Sequence, residues 1–284
     1  MARVGGLSYT TLVDVATLAA HLDDPDWLVV DVRHQLADTA YGERVYAEGH
    51  VAGAVFLHCD RDLSGPMNGS NGRHPLPVPE GLAIRLGAIG IGPATQVVVY
   101  DDAQGMISGR LWWLLRWLGH ARVAVLDGGL QAWLAANQPL SQEMPLLRPT
   151  NFVAMANDAM VDADYVQAFL QTSRMYLVDA RSPDRFRGEN ETIDPVGGHI
   201  PGAVNRFFRD NLQADGRFKP ADELRAEWLA VLAGAAPEAV VHQCGSGVSA
   251  CHNLLAMEIA GLPGSRLYAG SWSEWCADPG RPFA

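Results

Sequence analysis

Residue 244 heads the one stretch of this chain whose residue types and spacing favour covalent chemistry. Val240-Val241-His242-Gln243 leads into Cys244, then Gly245-Ser246-Gly247-Val248-Ser249-Ala250, and an apolar run continues to Ala260 before Gly261. The pattern predicts a strand, a tight loop and a helix N-terminus. Gly245 and Gly247 let the backbone curl so that the N–H groups of residues 245 to 249 turn inward as an anion-binding concavity. The helix that follows adds the positive end of its dipole. A thiol at the head of such a loop loses its proton more easily than a free cysteine and is nucleophilic near neutral pH. A lone cysteine that closes a core strand is ordinarily a packing residue. The Gly-Ser-Gly directly after Cys244 favours the nucleophile.

The elements that position this loop occur twice. The run 28–33, Leu-Val-Val-Asp-Val-Arg, returns at 176–181 as Tyr-Leu-Val-Asp-Ala-Arg. Gly49-His50-Val51-Ala52-Gly53-Ala54-Val55 returns as Gly198-His199-Ile200-Pro201-Gly202-Ala203-Val204. Val97-Val98-Val99-Tyr100-Asp101 matches the strand that ends at Cys244, and Gly128-Gly129 with Trp133 matches Gly270-Ser271 with Trp275. Four collinear matches at a nearly constant offset indicate a duplicated domain. Each copy alternates strand runs (97–100, 123–126) with helical patterns such as 108–118. The expected class is therefore α/β, two tandem domains, each a mostly parallel sheet flanked by helices. We expect domains at 1–140 and 158–284, joined by a linker at 141–157 within the proline-punctuated stretch 137–157. The irregular stretch from Asp60 to Pro79 is long for a compact domain and is placed over the cleft between the halves.

The repeat also predicts a single active site. Position 244 corresponds to Asp101, which has no thiol, and the loop 101–108 lacks a Gly-Ser-Gly turn. The first domain is expected to be a catalytically inactive scaffold. His50 and His199, and Asp31 and Asp179 with Arg33 and Arg181, occur in both copies and are read as turn and strand-end chemistry. Cys251 is read as core, His242 and His252 as possible neighbours of the site, and Trp272 and Trp275 as core and interdomain packing.

Composition narrows the function. The 284 residues are 48% hydrophobic with a formal net charge of −11, which suits two packed domains and argues against a nucleic-acid or anionic-membrane binder. No run of about 18 apolar residues predicts a membrane span. Residues 1–6 lack a signal-peptide core. Cys59, Cys244, Cys251 and Cys276 form no CxxC pair. Reduced thiols in the cytoplasm are the expectation, with no zinc ligand set, metal or cofactor. The glycines of 87–92 precede a strand instead of following one and are read as a turn.

Cys244-Gly-Ser-Gly-Val-Ser-Ala250 resembles the active-site loop of the rhodanese superfamily. It is most similar to the 3-mercaptopyruvate sulfurtransferase form, with Ser249 where a threonine is usual. The resemblance implies a rhodanese-like fold and ping-pong transfer: Cys244 takes a sulfur as a persulfide and passes it to a thiol, such as a reduced dithiol protein, or to cyanide. It implies that Arg185, in Asp184-Arg185-Phe186-Arg187-Gly188, holds a substrate carboxylate, a task that a guanidinium performs bidentately. It further implies that Ser246 acts with His74 and Asp60 on the enolate left when sulfur departs. Gly245, Gly247, Val248 and Ser249 would cradle the persulfide, and Arg73 could add positive charge. One departure stands out. The family's second arginine is absent from 189–197, which holds three acids and no base; Arg187 or Arg73 are the candidates to replace it.

The neutral loop beside Cys244 favours 3-mercaptopyruvate over thiosulfate, a compact dianion, while the missing arginine keeps thiosulfate open. A phosphatase on the same fold needs an arginine at the sixth position after the cysteine, and here that residue is Ala250. A non-catalytic sulfur-relay module is the alternative of another class.

Overall fold

β-Branched runs buried on both faces build the centre of each half, as parallel sheets require. The structure, a computed structural model, describes residues 8–284, and the leader reading of residues 1–6 lies outside the described residues. In the first half the strands are β1 (Leu12–Val13), β2 (Trp27–Asp31), β3 (Val55–Phe56), β4 (Gln96–Tyr100) and β5 (Val123–Leu126). In the second they are β6 (Met160–Val161), β7 (Tyr176–Asp179), β8 (Val204–Asn205), β9 (Val240–Gln243) and β10 (Arg266–Tyr268). All pairings are parallel, in the orders β1-β5-β4-β2-β3 and β6-β10-β9-β7-β8.

In each sheet the central strand has the strand that follows it on one side and an earlier strand on the other. The chain therefore diverges at the carboxyl ends of β4 and β9, the place where open α/β sheets leave a crevice. Register fixes the correspondence of the halves. Val30 pairs with Val99 and Asp31 with Tyr100; Val178 pairs with His242 and Asp179 with Gln243. The next residues are Asp101 and Cys244, so the equivalence expected from the repeat holds in three dimensions.

Ten α-helices flank the sheets among the described residues, and two of them matter most here. The helix after β4, α1 (Ser108–Trp117), and the helix after β9, α2 (Ala250–Ile259), are apolar on nearly every side. Such helices must be buried all round, and these two bury against each other across the halves. Gly109 permits the approach, since a Cβ there would lie 3.1 Å from the His252 backbone nitrogen. One continuous core runs through the seam, with Leu111, Trp112 and Trp113 joined to Val248, Leu254 and Leu255.

The repeated motifs are structural. Arg33 grips Asp31 (2.7–3.1 Å) and donates to the Gly49 carbonyl (2.7 Å); Arg181 does the same with Asp179 and Gly198. His50 bonds the Tyr46 carbonyl, and His199 bonds the Phe186 carbonyl. Trp272 and Trp275 pack in a core made wholly of second-half residues, so the expected interdomain role does not hold for them.

The stretch between the halves wraps the first. Ser141 pairs with His50, Thr150 N–H donates to Gly87, and Met155 N–H to Leu118. The irregular stretch 57–78 crosses to the second half as expected. Gly72, at φ +82°, has no room for a Cβ beside the Gly270 carbonyl, and Arg73 N–H donates to Ser273 Oγ (3.1 Å).

Candidate active site at the seam

Cys244 follows β9 and is 2% exposed. Its loop turns back at Gly247, where φ is +76° and a Cβ would stand 2.3 Å from the Ala269 carbonyl oxygen. Only glycine fits there, and the turn aims the Gly247 N–H at Cys244 Sγ (3.2 Å). α2 begins at Ala250, so the sulfur faces a backbone donor and a helix N-terminus together.

Ser271 steadies the head of the loop from below. Its hydroxyl accepts the Cys244 N–H (3.1 Å) and donates to the Tyr268 carbonyl (2.9 Å). It does so at φ +55°, where a non-glycine residue is strained.

Ser246 meets the first half. Its Oγ is 2.7 Å from His74 Nδ1, and His74 Nε2 is 3.1 Å from Asp60 Oδ1. Ser246 and His74 are buried; Asp60 is partly exposed. With Nε2–H donating to Asp60, His74 Nδ1 is left as the acceptor of the serine proton. The hydrogen bond from His74 holds the Asp60 carboxyl below the usual carboxylate range. The three residues expected to act together therefore do lie together, although they come from both halves.

Two arginines converge on Gly245. A Cβ at that glycine would lie 2.9 Å from Arg73 Nη2 and 3.6 Å from both terminal nitrogens of Arg185. The acids of 189–197 hold them in place. Glu191 receives Arg185 bidentately (2.9–3.1 Å), and Asp194 receives both Arg185 (3.2 Å) and Arg73. Backbone N–H bonds from Asp194 and Ile193, together with Arg185, outweigh burial and hold Glu191 below its ordinary value. Burial pushes the Asp194 carboxyl up against the pull of Arg73 and Arg185. Of the two candidates for the absent second arginine, Arg73 thus lies beside the cysteine loop. Arg187 is exposed, ends a short helical turn and pairs with Glu189, away from the loop.

A cavity of about 340 Å³ opens over these groups, lined by His74, Arg185, Arg209, Gly245, Val248 and Ser249 among others. A larger one of about 620 Å³ lies at the other end of the α1–α2 seam, near Trp117, Leu254 and Arg266, and holds none of the expected site residues. The remaining candidates are core. Cys251 donates to the Gly247 carbonyl and burial pushes its thiol up to about 12. His242 contacts Met257 Sδ, and burial pushes it down to about 3.

The family model described as "Rhodanese-like domain" matches residues 14–136 and 162–278. The chain belongs to this family. A "Probable 3-mercaptopyruvate sulfurtransferase" of Pseudomonas aeruginosa is 50% identical over 281 residues, 98% of this chain and 99% of that protein. A "Putative thiosulfate sulfurtransferase" of Mycobacterium tuberculosis is 36% identical over 274 residues, 95% of each chain. The solved 3-mercaptopyruvate sulfurtransferase from Leishmania major superposes with a TM-score of 0.83 at 32% identity, covering 94% of this chain and 74% of that one. The rhodanese-like fold expected from the loop motif is the fold observed.

Some residues of this rhodanese-like site escaped the sequence reading. Arg110, fully buried on α1, donates to the Gly247 carbonyl (3.1 Å) and the His74 carbonyl (3.0 Å), tying the cysteine loop to the His74 loop. An arginine inside an otherwise apolar helix was the available signal, since a buried charge needs partners. Ser271, Glu191 and Asp194 gave no such signal; their partners are distant in sequence.

Proposed function

We propose that the chain is a sulfurtransferase that moves a sulfur from 3-mercaptopyruvate through a Cys244 persulfide to a thiol or cyanide. The observation that carries this reading is the Ser246–His74–Asp60 chain beside the cysteine loop, with Arg73 and Arg185 next to it. The identity to the Pseudomonas relative supports it. The carboxylate of the donor lies against the two guanidiniums, which the acids behind them orient. Cys244 thiolate attacks the donor sulfur, and the carbon–sulfur bond breaks with its electron pair passing into the enolate of pyruvate. Ser246, with His74 Nδ1 accepting its proton, relays the donor's S–H proton to the enolate carbon, which gives pyruvate and leaves the outer sulfur anionic, while Asp60 fixes the histidine tautomer. The Gly247 N–H and the start of α2 stabilise the anionic persulfide. The acceptor thiolate then attacks the outer sulfur and frees Cys244 as thiolate.

In this reading the first domain (1–140) supplies Arg73, His74 and Asp60 but no nucleophile. The segment 141–157 is a linker, and 158–284 is the catalytic domain. The two separate sheets support that division. The four cysteines are unpaired, which supports a reducing, cytoplasmic setting. No described helix is long and apolar enough to cross a membrane.

The test compares kcat/KM for 3-mercaptopyruvate and thiosulfate in wild type and Ser246→Ala. We expect mercaptopyruvate to be preferred, and Ser246→Ala to lower its turnover about 10²–10⁴-fold while thiosulfate turnover, which makes no enolate, changes far less. Equal loss with both donors would remove the relay from the mechanism. A wild-type preference for thiosulfate would reverse the donor assignment.

A further inference from the structure

A second constellation lies just behind the relay. His34, Cys59, Asp60 and His74 each offer one ligand atom, and these atoms all lie within 4.8 Å of one another. His74 Nε2 is 3.1 Å and His34 Nε2 3.6 Å from the same Asp60 oxygen. His34 is 3% exposed, and its Nε2 has no hydrogen-bond partner. A buried, unpartnered ring nitrogen aimed at a shared carboxylate is costly unless something completes it. The fold maintains it nonetheless, because Arg33 pins the strand end one residue earlier to Asp31 and Gly49.

We propose that these four residues form a binding site for a borderline-soft divalent cation, Zn²⁺ or Cd²⁺. Two imidazoles, a thiolate and a carboxylate are the donor types these ions select. Tetrahedral bonds of about 2.0–2.3 Å place ligand atoms about 3.3–3.8 Å apart, so a small closure of the observed cluster suffices. One thiolate and one carboxylate neutralise the ion, which suits a site with three buried ligands. Entry is open from two sides. The cavity over the cysteine loop reaches Cys59 and His74, and a neighbouring cavity of about 390 Å³ reaches His34, Asp60 and His74. On binding, the Cys59 S–H bond breaks, a sulfur–metal bond forms and the proton leaves to solvent. The ion takes His74 at Nε2 in place of the bond to Asp60. The remaining ring proton then sits on Nδ1, which becomes a donor to Ser246 and no longer accepts its proton. Occupancy therefore disables the relay. This consequence rests on the function proposed above, whereas the binding does not.

The test titrates Cys244→Ser protein, which lacks the nucleophile, with Cd²⁺ alone. The expected result is one equivalent bound with thiolate-to-metal ultraviolet absorption. That band disappears when Cys59→Ala is added, and His34→Gln weakens binding at least about tenfold. In chelator, His34→Gln alone turns over as wild type does, but with Zn²⁺ its inhibition requires at least about tenfold more metal. No thiolate band in Cys244→Ser, a band that persists without Cys59, or metal affinity unchanged by His34→Gln would each overturn the site. Should Cys59→Ala fail to fold, the His34→Gln comparison decides alone. Binding with these dependences but without inhibition would sustain the site and count against the relay.

Discussion

The loops after β4 and β9 begin at equivalent positions and solve the same electrostatic problem in different ways. After β4 the head residue is Asp101. Its carboxylate accepts N–H bonds from Ala103, Gly105, Ile107 and Ser108 at 2.8–2.9 Å, so the loop closes on its own anion. Burial pushes that carboxyl up, and the four donors pull against it. After β9 the head residue is a thiol, whose Sγ receives, among the described residues, the Gly247 N–H alone (3.2 Å), and the cavity opens over the loop that follows. The first-half loop lacks the Gly-Ser-Gly turn, as its sequence indicates. It has an organised turn nonetheless, and the turn is filled. The same backbone device thus gives a structural carboxylate in one half and a site for a transient anion in the other. The first half has an aspartate where the second has Cys244, yet it places Arg73, His74 and Arg110 at the second half's cysteine loop, with Asp60 behind His74.

The largest test of this contrast exchanges the head groups. Cys244→Ser should lower kcat/KM more than about 10³-fold. Adding Asp101→Cys should restore nothing, because the Ser246–His74 pair and the Arg73–Arg185 pair both stand at the other loop. Steady-state rates and cyanide-labile sulfur per chain check both; a second loaded sulfur with turnover would end the distinction between the halves.

Next in size is stability. Asp101→Ala leaves four donors, three of them buried, without their acceptor and should cost at least about 3 kcal/mol in urea unfolding. Cys244→Ala removes one weak sulfur contact and should cost clearly less. Equal losses would mean that the first loop is not held by its own carboxylate.

The arginines come third. Arg73→Met should raise KM for 3-mercaptopyruvate about 10–100-fold, as expected for loss of a charged hydrogen bond. Arg187→Met, exposed and paired outward, should leave KM within about twofold. A stronger effect at Arg187 would restore the candidate that the geometry sets aside.

The smallest increment, taken per residue and per pH unit, is a pH slope. His242 occupies the second-half position of Val99, and burial depresses both His242 and His252 from 6.5 to about 3. A histidine depressed on folding binds its proton in the unfolded chain first. Its contribution is constant above the ordinary value near 6.5 and is lost as pH falls toward 3, by about 1.4 kcal/mol per pH unit for each residue. Urea unfolding at pH 7, 6 and 5 should show this loss. His242→Val should remove one proton's worth of slope whatever it does to absolute stability, and an unchanged slope would assign the titration elsewhere.

The sequence by itself determined the local and the periodic. The duplicated strand runs, the α/β class, the loop at Cys244 and its equivalence to Asp101 all depend on neighbours in sequence or on a fixed offset. Backbone sterics and hydrophobic period write such features directly into residue order. The motif likeness carried further and named Ser246, His74, Asp60 and Arg185, but it had no means of showing that they meet. Only the tertiary structure decided that His74 reaches Ser246 across the seam, and that Arg73 lies beside Arg185 at Gly245 while Arg187 turns away. It alone showed Glu191 and Asp194, two of the three acids in the stretch that lacks the second arginine, to be partners of the two guanidiniums. The same holds for Arg110, Ser271 and the four ligand atoms around Asp60. The contacts of Arg73, His74 and Arg110 with the second half join residues brought together by the packing of α1 on α2 and the crossing of the 57–78 loop. Those of Ser271, Glu191 and the Asp60 cluster come from packing within one half. Long-range packing of this kind is set by the whole core, and no short stretch of sequence encodes it.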